Sequence, residues 1–266
     1  NVRHLEPMGF IKYDLLGLAT LKMMEGCIEH VLRRHYNVED PSFADIKKFY
    51  DENLHPDIIN LDDKKVYKKV FHRGKWSGTF QFTETGAQKF CVRVKPDEII
   101  GIAAITSIYR PGPLAAGVHE DYVDAKAAPH RVEYLNDDHR EITEETYGFL
   151  IFQEQIALLA HKLGGLTLDE GNLLRKILTK KGTGKDDKRS KLRVKFVDGC
   201  EKNGIHRDKA IAMWNKFAYF SGYGFNKSHA VAYSMISYQC AWLWTHYPAE
   251  WMAAFLDKEP EKRKEK

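Results

Sequence analysis

Near the end of the chain, Tyr223-Gly224-Phe225-Asn226-Lys227-Ser228-His229-Ala230-Val231-Ala232 leaves the backbone few options. Gly224 marks a turn, and Asn226 and Ser228 are residues that cap a helix. A helical pattern runs from there to the break at Pro248, so a helix must start within these ten residues. The first turn of a helix has N–H groups that point outward without partners. With Lys227 beside them, they make a point where an anion can bind. Lys227 and His229 are therefore candidates for contact with a phosphate or a base. Asn226 and Ser228 are further contact candidates, or simple caps. A histidine at a helix start is more often structural.

At 266 residues the chain can bury one large core or two small ones. No apolar run approaches the length of a membrane span, and no secretory signal opens the chain. Cys27, Cys91, Cys200 and Cys240 lie far apart without metal-ligand spacing, and read as reduced, buried thiols of a cytosolic protein. The chain opens on Asn1 rather than Met, and is expected to be a piece of something longer. Its net charge of +4 says little, but the distribution says more. Between Arg175 and Lys195 stand ten Lys or Arg against Asp186 and Asp187, so the remainder is net acidic. Charge gathered in this way suits a phosphate-binding surface; a solvated helix end and loop is the plainer account.

The pattern along the chain is mainly helical behind one short strand. Phe10–Leu16 reads as that strand, with Lys12, Asp14 and Leu16 on one face, ended by Gly17. A helix with Leu21, Met24, Ile28 and Val31 follows. Residues 42–72 hold one or two short helices with a break near His55-Pro56. Lys75–Gly86 reads as loop. Pro96-Asp97-Glu98 opens a helix that ends before Tyr109. The pattern over 115–146 is mixed and fixes no structure. Ile156, Leu159, Ala160 and Leu163 make one apolar helix face, stopped at Gly164-Gly165. Thr167 and Glu170 form a capping box for a helix that turns Leu174, Ile177 and Leu178 inward. Residues 182–190 look mobile, and 191–256 are helical apart from the Gly222–Lys227 turn. Within the last part, Ala232, Ile236, Cys240 and Leu243 read as the buried stripe.

Several residues could carry chemistry. Asp14 on a rigid strand could hold a metal ion for phosphoryl transfer, with Lys12 balancing charge on the same face. A surface Asp–Lys pair on an edge strand is the commoner explanation. Tyr109-Arg110-Pro111-Gly112-Pro113-Leu114 is a stiff turn that presents Arg110, whose planar fork suits phosphate; a rigid turn with an exposed Arg explains it equally well. Gln153, Glu154 and Gln155 sit off the apolar face of their helix. They could bond nucleic acid or neighbouring helix ends, and Glu154, which repels phosphate, favours the structural role. Arg175, Thr179 and Lys180 lie opposite the leucines of Leu173–Leu178, and with Lys176 and Lys181 they make a cationic ridge. Cations at a helix C-terminus are the bland account of it.

Five of these blocks resemble, in order, the motifs of the C family of DNA polymerases, the alpha subunits of bacterial replicative DNA polymerase III. Lys12-Tyr13-Asp14-Leu15-Leu16-Gly17-Leu18 with Leu21 is similar to a palm segment of that family. The Tyr109–Leu114 block matches fully. Tyr147–Gln155 matches with Phe152 in place of a second Tyr. Leu173–Lys181 resembles the segment lining the nucleotide site, with Lys176 for an Arg and Thr179 for a Gly, and the Tyr223–Ala232 decapeptide closes the set. Gly78–Gly86 is a looser match, firm only at Gln81. The looser matches fit a divergent version such as a phage would encode.

The resemblance implies a fold that is mainly α: a short palm β-strand followed by a large helical fingers domain. It divides the chain into the end of the palm (1–20), the fingers (21–256) and a charged tail or linker (257–266). It implies a part of a replicative DNA polymerase adding deoxynucleotides to a primer 3′ end by two-metal phosphoryl transfer. Asp14 would be the third catalytic carboxylate and a metal ligand. Arg175, Lys176, Lys180, Lys181, Lys227, His229, Arg110 and Lys12 would meet triphosphate or DNA backbone. Asn226, Ser228, Gln153, Gln155 and Gln81 are its further nucleic-acid contacts. Two Mg²⁺ ions would be shared with carboxylates outside this chain, so that the chain by itself would be inactive. Template-primer DNA, dNTPs and the remainder of the alpha subunit would be partners, and the sliding clamp and other replisome proteins would bind through regions elsewhere. No membrane partner is implied, and the setting would be the cytoplasm of a bacterium or a phage-infected cell. A non-catalytic helical nucleic-acid-binding module is the alternative reading.

Overall fold

A computed structural model of the chain describes residues 2–5, 8–11, 17–115, 117–179, 186–220 and 224–258. Among them the fold is almost wholly helical. α1 (Val2–Leu5) is a single turn. Next come α2 (Ala19–His35), α3 (Phe43–Asn53) and α4 (Lys64–Val66), which runs on as a π-helical turn over Tyr67–Phe71. They are followed by α5 (Thr85–Val94), α6 (Ile99–Ile108), the short α7 (Pro111–Ala115), α8 (Val118–Ala127) and α9 (Asp137–Thr143). A second group is α10 (Gln153–Lys162), α11 (Leu168–Thr179), α12 (Asp186–Lys202) and α13 (Arg207–Phe220). α14 (Lys227–His246) and α15 (Pro248–Lys258) return to the first group.

Local chemistry sets many of these boundaries. Ser42 and Asp45 exchange side-chain and backbone hydrogen bonds at the start of α3, and Thr167 and Glu170 do the same before α11. Pro248 stands at the first position of α15, where a missing N–H costs nothing. The chain then folds around two apolar cores. The larger packs α2 against α15 and α6 against α14, with α3, the π-helical turn and α5 around them. Trp251 is fully buried there and its indole donates to Ser77 O at 2.8 Å. Burying a side chain of that kind stabilises the fold by about 1.5–3 kcal/mol. The smaller core holds Ile156, Leu159, Leu163, Leu174, Phe196, Trp214 and Phe217 from α10 to α13.

The structure departs from the sequence reading in several places. Phe10 and Ile11 are exposed and irregular rather than strand, and the rest of that segment, with Lys12 and Asp14, lies outside the described residues. The helix expected from Pro96 begins instead at Ile99, because the residues before it are committed elsewhere: Pro96 O to His72, and the Asp97 side chain to Lys126. Residues 186–190, read as mobile, are the first turns of α12, where Asp187 pairs with Lys191 one turn on. Of the stripe expected in α14, Cys240 and Leu243 are fully buried and Ile236 is half-buried, while Ala232 is exposed; Ala230, Ser234, Tyr238 and Ala241 are buried as well. The later half of this helix is enclosed on several sides, so no single stripe describes it. Gln239 donates to Leu54 O and the Tyr50 hydroxyl, and Tyr238 to Asn60 O, so these two buried polar side chains keep partners. The four cysteines are free and buried, as expected.

Candidate functional site

The chain crosses between the two cores twice, outward through Ile151–Gln153 and back through Gly224–Lys227, and the crossings lie side by side. Phe225 N donates to Ile151 O (3.1 Å) and Gln153 N to Phe225 O (2.9 Å), a parallel bridge between Phe152 and Phe225. Gly224 has no room for a side chain, since a Cβ would stand 2.6 Å from the Phe220 ring and 3.0 Å from Gln153 Cγ.

Each residue of Gln153-Glu154-Gln155 holds a different piece of this crossing. Gln153 Nε2 donates to Gly224 O (2.7 Å), and its Oε1 accepts from Arg175 Nη1 (3.1 Å). Glu154 accepts from Asn226 Nδ2 (2.8 Å) and from Lys227 N (2.9 Å). Gln155 is only 2% exposed. It accepts from the backbone N–H of Ile151 (2.9 Å) and Phe152 (3.0 Å) and donates to Thr146 Oγ1 (2.8 Å) and Ile142 O (3.3 Å). An amide with that many buried partners cannot reach DNA, so Gln155 is not a contact residue but the bolt of this joint.

The start of α14 is also more committed than its sequence implies. Asn226 Oδ1 caps the helix by accepting from His229 N (2.8 Å), and its amide nitrogen goes to Glu154. With Glu154 on Lys227 N as well, the anion at this helix start is a carboxylate of the chain itself. Asn226 is thus a cap with both ends of its amide engaged, though the residue itself stays exposed. Lys227 Nζ meets both oxygens of Glu145 at 2.7 Å and lies 5.7 Å from the centre of the Phe152 ring. Nothing in the sequence marked Glu145, because it is 82 residues away and belongs to the turn that follows α9.

Around this joint stand the other expected residues. Arg110 lies over the Phe225 ring, 3.9 Å from its centre, and its loss of water there lowers the guanidinium pKa while leaving it charged. His229 is exposed, between the rings of Phe225 (5.4 Å) and Tyr233 (4.1 Å), and Ser228 is exposed beside it. Tyr233 meets Phe80 (5.4 Å), the neighbour of exposed Gln81. Lys176 is exposed on α11. Four separate blocks, at 109–114, 147–155, 173–181 and 223–232, therefore converge through Arg110, Gln153, Glu154, Arg175, Phe225 and Lys227. Lys180 and Lys181 lie outside the described residues, as do Lys12 and Asp14. Among the described residues no group of three or more His, Cys, Asp or Glu could hold a metal ion, and no helix is long and apolar enough to cross a membrane. Behind the bridge the two cores leave a cleft of about 880 Å³, whose walls include Ile151, His139, Lys216 and Phe220.

The comparisons with known proteins agree with this assembly of blocks. Residues 40–204 match the model of the bacterial DNA polymerase III alpha subunit finger domain. Over 256 residues the chain is 37% identical to the DNA polymerase III subunit alpha of Campylobacter jejuni, a match covering 96% of this chain and 20% of the relative. It is 34% identical over 256 residues to that of Escherichia coli K12, covering 94% and 21%, and 36% identical over 255 residues to that of Aquifex aeolicus, covering 96% and 20%. The chain thus spans about a fifth of the length of these relatives.

Proposed function

The chain belongs to the bacterial DNA polymerase III alpha subunit finger-domain family, and on that premise we propose that it forms the fingers of a replicative DNA polymerase, with the end of the palm at residues 1–20 and a tail at 257–266. In this reading Arg175, Lys176, Lys180, Lys181 and Lys227, with Arg110, neutralise the triphosphate of an incoming deoxynucleotide or the template-primer backbone. His229, Ser228 and Gln81 would meet bases or sugar. Such polymerases use two Mg²⁺ ions to activate the primer hydroxyl and stabilise the leaving pyrophosphate. These ions would rest on Asp14 and on carboxylates outside this chain, and the described residues offer no cluster for them. The chain's own part is to bind, to orient and to exclude water. Its partners would be template-primer DNA, deoxynucleoside triphosphates, the rest of the polymerase and, through that, the clamp and replisome, in bacterial or phage-infected cytoplasm.

The observation that carries the reading is the convergence at the crossing. Segments separated by up to 115 residues meet through Arg110 on Phe225, Gln153 on Gly224 and Arg175, and Glu154 on Lys227. A rigid joint of this kind is what precise positioning of a charged substrate requires. The test is primer extension by the protein at its natural length. Arg175→Ala is expected to raise the KM for deoxynucleoside triphosphates by roughly 10- to 100-fold, the loss of a charge-assisted hydrogen bond. This chain alone is expected to extend no primer. An unchanged KM, or extension by the isolated chain, would overturn the reading.

A further inference from the structure

We propose that Gln153 is a positioning residue for nucleotide binding, its side-chain amide setting the plane of the Arg175 guanidinium. The proposal rests on the reading of Arg175 as a triphosphate contact and adds to it a residue that touches no substrate. The orientation of the amide is fixed by chemistry at both ends. Nε2 can only donate, and it faces Gly224 O; Oε1 can only accept, and it faces Arg175 Nη1. A flipped amide would put oxygen against oxygen and donor against donor. The residue is also pinned by its backbone, since Gln153 N donates to Phe225 O. Gly224 allows the close approach, because a side chain there would press on Gln153 Cγ.

The consequence for Arg175 is geometric. A guanidinium is planar and its five N–H donors are locked in one fork, so holding one of them turns the whole plane. Recognition of phosphate by such a fork depends on that plane more than on the charge alone. Arg175 belongs to α11 in the smaller core, whereas Gly224 and Phe225 lead into α14 in the larger one. Gln153 therefore ties the direction of a smaller-core cation to the larger-core side of the crossing.

The experiment is single-nucleotide incorporation by the protein at its natural length, with wild type, Gln153→Met, Arg175→Lys and the double variant. Gln153→Met keeps side-chain length and loses both hydrogen bonds. It is expected to raise the KM for the nucleotide about tenfold and change kcat less than about threefold, with the melting temperature held within a few degrees. In the Arg175→Lys background the same change is expected to add less than about twofold, because the group it acts through is gone. A purely structural Gln153 would instead multiply the two losses and lower the melting temperature. Gln153→Glu is the second variant, should the first fail to fold. Its carboxylate pairs with Arg175 and draws charge away from the triphosphate, so KM again rises. An unchanged KM in whichever variant folds, or full multiplication in the double variant, overturns the proposal. If Arg175→Ala and Arg175→Lys both leave KM untouched, the triphosphate reading of Arg175 fails and the proposal with it. If Arg175 matters and Gln153 does not, only the proposal fails.

Discussion

The start of α14 carries one cation and the first half of α12 several, and the two hold them in opposite ways. At α14, Lys227 is clasped by Glu145, its backbone N–H by Glu154, and the neighbouring cap residue by both helix and carboxylate. On α12, Lys188, Lys191, Arg193 and Lys195 are exposed. Lys191 there meets Asp187 at 3.3 Å with both side chains almost wholly in water. Lys195 reaches Glu170 at 2.6 Å across to α11, also near the surface. Exposed pairs of this kind are worth little, and salt screens them. A clasped cation can orient a ligand, while a loosely held one can only attract it. The same residue types thus do two kinds of work, and the difference lies in what surrounds them.

The strongest way to break this comparison is to loosen the clasped side. Gln155→Ala removes a buried amide and leaves the N–H groups of Ile151 and Phe152 unmet. The expected loss is about 3 kcal/mol or more, read as a lower denaturant midpoint at unchanged slope. A loss no greater than that of an exposed α12 substitution would show that the crossing is not a rigid joint.

Acid offers a second, smaller probe of the same side. His139 lies on α9, one turn before Ile142, whose carbonyl receives Gln155. Its ring is 4% exposed and its Nδ1 accepts from Leu135 N, so the neutral ring carries its proton on Nε2. Burial, and then the charge of Lys216, lower its pKa from 6.5 to about 4. The unfolded chain takes up this proton near pH 6.5 and the folded chain only near 4. The contribution is therefore intact above about 6.5 and is lost as pH falls toward 4, on the order of 3 kcal/mol in all. Urea midpoints between pH 7 and 4.5 should fall more steeply for wild type than for His139→Gln. Parallel curves would remove this histidine from the account.

Much of the clasped side was legible as pieces and illegible as a joint. The capping box at Thr167 and Glu170, the apolar face from Ile156 to Leu163 and the structural lean of Glu154 follow from local rules, and local rules are what sequence spacing reports. The family blocks named Arg110, Gln153, Arg175 and Lys227 as a set, which their separation along the chain could not. Burial of Gln155 was missed because a glutamine beside a helix start looks solvent-facing until a second segment covers it. Glu145 was missed for a related reason: its partner is fixed by how α9 and α14 pack, and no periodicity encodes that. That the α14 start already holds a carboxylate of the chain itself was not legible, because Glu154 reaches it from 73 residues away.

The smallest expected effect on stability is the one that sharpens the other side. Lys191→Ala and Arg193→Ala remove exposed charges from α12, and the fold should change by no more than about 0.5 kcal/mol in either direction. Binding should respond differently. If these cations meet DNA backbone, each substitution lowers the slope of log K against log salt by about 1, measured by anisotropy of a labelled template-primer between roughly 50 and 200 mM salt. Lys227→Met should do the reverse, costing stability because Glu145 is left half-buried and unpaired, with little change in the salt slope while that pair holds in the complex. Equal slopes for the α12 variants and wild type would mean that the exposed cations face solvent in the complex too. The basic cluster would then be a solubilising surface, and substrate charge would fall to the clasped residues alone.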